Sequence, residues 1–225
     1  MEAVLESIDG VAPNEIWCLG DLVGYGPRPN RCCAIVAERT DVCLIGNHDL
    51  AVLGRLDLAE FAPDAAASAL WTREVLEPEA RAYLESLSAS AARSGVGLYH
   101  ASPRDAVWEY VLSAEIAHGS LAAVEEELVL VGHSHVALRF GWEENLLALA
   151  PAGTEVNLAR ERWLLNPGSV GQPRDGDPRA AWILLDLDAR RATFHRVPYA
   201  LERTQAEIRE QGLPEPLAAR LEHGI

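Results

Sequence analysis

The sequence predicts one α/β domain over residues 1–225, and three observations carry that expectation. A chain of 225 residues with 49% hydrophobic and 24% charged residues has the length and mix for a single sizeable core. In the first half, short apolar runs alternate with helix-length amphipathic segments, the rhythm of parallel strands covered by helices. In the second half, strand-like runs follow one another between turn residues, which predicts a mainly antiparallel β region.

Residues 1–8 read as a helix with Ala3, Val4 and Ile8 on its apolar stripe. A strand at Ile16–Leu19 follows, then the polar loop Gly20–Pro29 and a helix from Pro29 to about Arg39, proline being suited to a first helical turn. Val42–Ile45 is the next buried strand. Pro63–Leu76 and Pro78–Leu87 read as two helices forming an insertion, and Val96–Tyr99 returns to strand character. Ser113 caps a helix reaching about Glu126, and Leu128–Val131 is again a strand. Beyond it, strands are expected at 136–142, 155–158, 162–165, 181–187 and 193–197, then two short helices at about 200–210 and 214–222.

The composition excludes several function classes. A net charge of −15, spread along the chain, disfavours binding of a nucleic-acid polymer. All 19 basic residues are arginine, so neither Schiff-base chemistry on lysine nor a Gly-Lys-Ser/Thr phosphate loop is available. No apolar stretch of about 18 residues predicts a membrane span, and no signal-peptide pattern opens the sequence, so a cytoplasmic location is expected. Cys18, Cys32, Cys33 and Cys43 contain no C-x-x-C pair and are expected to be buried thiols.

Four predicted strands end in polar clusters: Gly20-Asp21, Gly46-Asn47-His48-Asp49, His100, and Gly132-His133-Ser134-His135. Loops after strand carboxyl ends form the ligand crevice of an open α/β sheet, so these clusters are expected to share one site. An aspartate can bridge two cations, an asparagine offers a neutral oxygen and imidazoles are common nitrogen ligands. In extended backbone His133 and His135 point to one side, a pair able to reach two cations about 3.5–4 Å apart. His118, His195 and His223 lack a strand-end glycine and are expected to be ordinary structural residues.

GDLVGYGP (20–27), GNHD (46–49), HASP (100–103) and GHSH (132–135) together resemble the successive motifs of the calcineurin-like metallophosphoesterases. NPGSVGQPRDGDPRA (166–180) is similar to the tail of that family's small bacterial members. The resemblance covers nearly the whole chain and implies a layered β-sheet sandwich flanked by helices, with a small helical insertion at about 63–87. It implies that Asp21 bridges two divalent ions, that Asn47, His100 and His133 complete one site, and that His135 serves the other. It implies that His48 contacts the substrate phosphate and protonates the leaving oxygen, with Asp49 orienting its ring. Manganese, iron, zinc, cobalt and nickel all suit such mixed oxygen and nitrogen ligands.

The family's first motif, Asp-x-His at the end of a first strand, has no counterpart in this sequence, whose residues 1–8 resemble the helix that follows it. Three readings follow: an upstream strand carrying Asp-x-His, a one-cation site at Asp21, Asn47, His100 and His133, or a binding module that has lost catalysis. The expected activity of the complete site is hydrolysis of a phosphomonoester or phosphodiester by a metal-activated hydroxide, with a phosphoprotein phosphatase as the alternative. Arg104, Arg174 and Tyr25 lie in the loops nearest the motifs and are candidates to touch a small phosphate-ester substrate. Exposed β edges in the second half could support a homo-oligomer.

Overall fold

The computed structural model describes residues 1–225 and opens on helix α1 (Glu2–Asp9), which buries Val4 and Ile8. Strand β1 (Trp17–Cys18), α2 (Pro29–Arg39), β2 (Val42–Cys43), α3 (Asn47–Val52), α4 (Pro63–Val75) and α5 (Pro78–Glu85) follow in order. Proline stands in the first turn of α2, α4 and α5, where its missing N–H costs no helical bond. The chain continues through β3 (Ser90–Arg93), β4 (Val96–Tyr99), α6 (Ala114–Ala122), β5 (Leu128–Val131), β6 (Ala137–Gly141), β7 (Leu146–Leu149), β8 (Glu155–Asn157) and β9 (Trp163–Pro167). It closes with β10 (Ala180–Asp186), β11 (Arg191–Val197), α7 (Leu201–Glu210), α8 (Glu215–Ala219) and a 3-10 turn at Arg220–Glu222.

A six-stranded mixed sheet, ordered β3-β4-β5-β9-β6-β7, forms the centre, beside a three-stranded antiparallel sheet β10-β11-β8 and the parallel pair β1-β2. Side chains alternate faces along each strand. Leu98, Leu130 and Leu165 pack toward Val156 and Phe194 of the smaller sheet, whereas Val129, Val131 and Leu164 pack under Ala117 and Leu121 of α6. The result is a layered sandwich flanked by helices. The segment expected as an insertion joins the helical layer: Ala69 and Leu84 share a buried cluster with Cys33, Val36 and Val52.

Several elements depart from the sequence-based expectation for local reasons. β3 and β4 form a hairpin turned by Ser94 and Gly95, at φ 53° and 78°, and β3 has no apolar alternation to betray it. β7 is an edge strand that exposes Leu146 and Leu149. α6 stops at Ala122 because the Arg162 guanidinium donates to the carbonyls of Leu121, Val124 and Glu126, taking over the helix end. β9 pairs parallel to β5, so the second half is not wholly antiparallel. All four cysteines are free, but only Cys33 is buried. No helix is long and apolar enough to cross a membrane.

Candidate metal centre

The ends of β1, β2, β4 and β5 converge. A parallel bridge between Leu44 and Ser88, and the 2.9 Å bond from the His100 N–H to the Ala89 carbonyl, tie the small parallel pair to the large sheet. Asp21 sits at the meeting point in the left-handed region, φ 56°, which aspartate tolerates better than most residues. Its Oδ1 accepts the His48 backbone N–H at 3.0 Å, and its Oδ2 is buried with no hydrogen-bond partner. Facing that oxygen are His100 Nε2 at 3.5 Å and His135 Nε2 at 4.0 Å. One donor atom each from Asp21, His100 and His133 lies within 4.8 Å of the others, and Asn47 Oδ1 is 3.3 Å from His100 Nε2.

The imidazoles are oriented by main-chain carbonyls, which can only accept. His100 Nδ1 meets the Leu19 carbonyl at 2.7 Å, His135 Nδ1 that of Gln172 at 2.8 Å, and His133 Nε2 that of Trp108 at 3.2 Å. Each of those nitrogens must therefore carry a hydrogen, so in the neutral rings His100 Nε2, His135 Nε2 and His133 Nδ1 are the lone pairs available to a cation. Metal-binding histidines are commonly held this way. Burial pushes His133 down to about 4, with His100 adding to the effect, and it lowers His135 as well. Burial alone would raise the Asp21 carboxyl, yet the imidazoles of His100, His48 and His135 hold it below its usual range.

Backbone geometry corrects one expectation here. His133 and His135 both stand at φ 59° rather than in extended backbone, and the Ser134 N–H folds back to the Gly132 carbonyl at 2.6 Å. Such a γ-turn is strained, and its persistence needs support from its surroundings. The fully buried Asn166 provides it: its Nδ2 donates to the Gly132 carbonyl at 2.6 Å and to Ser134 Oγ at 3.0 Å. His135 therefore reaches Asp21 from outside the Asp21, His100 and His133 group.

Two further expectations are corrected. Asp49 was expected to orient His48, but its Oδ1 accepts the Val23 N–H at 3.0 Å and its Oδ2 the Gly46 N–H at 2.9 Å, so it caps α3 and anchors the first loop. Arg104 was expected to reach substrate, but it is paired with Glu109, its Nε 3.0 Å from Oε2, and packs against Gly119. Its fork is already occupied. His118 and His195, expected to be structural, stack on Trp142 and Trp182 with ring centroids 4.0 and 4.3 Å apart.

Residues 1–190 match the model of the calcineurin-like phosphoesterase superfamily domain. The chain belongs to that superfamily. It is 34% identical over 226 residues to an uncharacterised protein of Methanocaldococcus jannaschii, an alignment covering 98% of this chain and 91% of the other. Its fold superposes on the crystal structure of a metallophosphoesterase from Sphaerobacter thermophilus with a TM-score of 0.90 at 42% identity, covering all of this chain and 94% of that one. A hypothetical protein from Pyrococcus horikoshii shares the fold at 21% identity with a TM-score of 0.79, covering all of this chain and 92% of that one.

Membership of the calcineurin-like phosphoesterases implies divalent cations, and the residues present fit them. An orphaned carboxylate oxygen ringed by bare imidazole lone pairs is a donor set that no protein hydrogen satisfies. Beside it lies a cavity of about 200 Å³. Tyr25 stacks on His48 with centroids 4.2 Å apart, and Phe61 and Trp108 continue the wall at 5.2 and 5.0 Å. Tyr110 covers His133 at 4.0 Å. Arg174 lines the pocket and donates to Tyr25 Oη at 3.0 Å. Phe61, Trp108, Tyr110 and Arg220 were not anticipated from the sequence, since no motif marks them.

Gly46 shows how tightly this centre is built. A Cβ added there would sit 2.0 Å from Asp21 Oδ1 and 2.6 Å from the Asp21 backbone nitrogen. Gly46→Ala is expected to cost about 1–3 kcal/mol in urea denaturation, the usual penalty for overpacking, and to weaken cation binding. Wild-type values of both would rule out the packing argument.

Proposed function

We propose that this calcineurin-like phosphoesterase hydrolyses small phosphate esters, monoester or diester, using divalent cations held by Asp21, Asn47, His100 and His133, with His135 and Asp21 bounding a second position. The observation that supports it most directly is the buried, unpartnered Asp21 Oδ2 facing imidazoles whose other nitrogens are already committed. Cations bound there supply activation of water and neutralisation of phosphoryl charge.

The chain's own residues do the rest. Asp21 Oδ1 fixes His48 through its backbone N–H. The His48 Nδ1 is sealed against Gly24, so Nε2 is the nitrogen left to hand a proton to the leaving oxygen. Burial pushes His48 down to about 4, with His135 and Arg174 adding to the effect, so a bound phosphoryl anion must supply the countercharge for that proton. Arg174, held by Tyr25 and Gln172, offers its remaining donors to a phosphoryl oxygen. The aromatic wall lines one side of the pocket, and a cavity of about 200 Å³ suits a small ester better than a protein loop.

The test is release of p-nitrophenol from p-nitrophenyl phosphate and bis-p-nitrophenyl phosphate, with manganese first and then iron, zinc, cobalt and nickel. His48→Asn is expected to lower kcat about a hundredfold or more while metal content stays unchanged. No release with any of these ions would sink the proposal.

A further inference from the structure

The sequence beyond the superfamily match at residues 1–190 is not a loose tail. α7 and α8 build their own buried cluster of Ile208, Leu213, Leu217 and Leu221, which packs against Tyr25 of the first motif loop and Trp71 of α4. The end of the chain is locked onto the Arg174 loop. The Gly176 N–H donates to the Gly224 carbonyl at 3.0 Å, and a Cβ at Gly224, φ 63°, would strike the Asp177 backbone at 2.8–3.0 Å. Arg28 of the first loop pairs with Glu207 of α7.

What this segment delivers is Arg220. Arg220 lines the same cavity as His48, Tyr25 and Arg174. In a chain of net charge −15, most arginines pair with a side-chain carboxylate, yet neither Arg174 nor Arg220 does. Asp64 and Glu60 lie nearby without pairing to either. Arg220 spends only Nε, donating to the Ile225 oxygen at 2.6 Å, so the far end of its fork is free. Burial and the neighbouring Arg174 lower its proton affinity, against the opposing pull of Tyr25 and Asp64.

We propose that Arg220, with Arg174, forms an anion subsite that takes a second anionic group of the substrate, phosphate or carboxylate, so that preferred esters carry a charge besides the scissile phosphoryl. The inference rests on the phosphate-ester reading above. It adds a specificity residue from a segment outside the superfamily match. A guanidinium pair suits such a group because each fork can donate two parallel hydrogen bonds.

The experiment compares matched pairs of esters that differ by one anion: adenosine 5′-monophosphate against adenosine 3′,5′-bisphosphate, and glycerol 3-phosphate against 3-phosphoglycerate. Affinity is read by titration calorimetry and kcat/KM by phosphate release, with manganese in fixed excess. The wild-type chain is expected to favour the doubly anionic member of at least one pair by about tenfold or more, the first pair reporting a phosphate and the second a carboxylate. Arg220→Gln is expected to erase that preference. Because Arg220 also holds Ile225, Arg220→Lys serves as a second variant that keeps the charge; it should retain only part of the preference, having lost the fork.

No preference in either pair, or a preference that survives Arg220→Gln, overturns the subsite. Hydrolysis without preference defeats the subsite alone. An Arg220-dependent preference in binding without any hydrolysis upholds the subsite and defeats the phosphoesterase reading.

Discussion

Asp21→Asn is expected to empty the metal centre while leaving the fold intact. Asparagine tolerates the left-handed φ of 56° about as well as aspartate, and its amide oxygen can still accept the His48 N–H now held by Oδ1. What disappears is the negative charge and the second anionic oxygen, the buried Oδ2 that His100 and His135 face at 3.5 and 4.0 Å. Losing an outer partner of a ligand typically costs roughly 10–100-fold in metal affinity or activity, and the proposed function makes Asp21 a ligand itself. The loss in manganese affinity is therefore expected to exceed about a hundredfold, with hydrolysis falling at least as far. Equilibrium dialysis with manganese, beside near-ultraviolet circular dichroism as a folding check, decides it. Retained affinity would remove Asp21 from the centre.

Arg196→Met is expected to be the most destabilising change outside the centre, at about 3–5 kcal/mol in urea denaturation. Arg196, on β11, pairs with Asp175, and their side chains are only 3% and 5% exposed. The same guanidinium donates to the carbonyls of Asp177 and Arg179 at 3.2 and 3.1 Å. Asp175 Oδ2 also accepts the Ala137 N–H at 2.9 Å. Methionine would fill the volume but leave a buried carboxylate whose Oδ1 already lacks a partner. The loop carrying Arg174 would lose its anchor, so KM should rise alongside the drop in stability. Arg196→Met combined with Asp175→Leu should recover part of the loss, because the unpaired charge goes with it. A single-variant loss below about 1 kcal/mol would show that the pair contributes little.

These two sites were not equally visible in the sequence. Asp21, Asn47, His100, His133 and His135 stood out because each follows a short apolar strand, and their order along the chain already suggested a shared crevice. The strand ends do meet, and β1, β2, β4 and β5 carry them as expected. The Arg196–Asp175 pair joins residues 21 positions apart through β11 and a loop, and no periodicity announces it. α3 was missed because GNHD reads as a turn: a helix of six residues is too short to show a 3.6-residue period, and its cap is the Asp49 carboxylate bonded to a backbone N–H. The resemblance gives the same carboxylate to His48, whereas the folded chain commits both its oxygens elsewhere.

The sequence by itself determined most of the helices and the strands that lead to the site, though not α3 or β3, and it singled out residues of a kind able to bind cations. Those follow from local pattern: proline in a first helical turn, apolar alternation, a polar residue straight after a buried strand. The tertiary structure decided which nitrogen of each imidazole is free, that Asp49 caps rather than orients, that Arg104 is already paired, and that Arg220 joins Arg174 at the pocket. Each of those depends on a hydrogen-bond or ion partner distant in the chain, such as Leu19 for His100, 81 positions away, or Tyr25 for Arg174, 149 away. A side chain's role is set by which of its polar atoms remain unsatisfied after folding, and that is known only once its partners have been brought beside it.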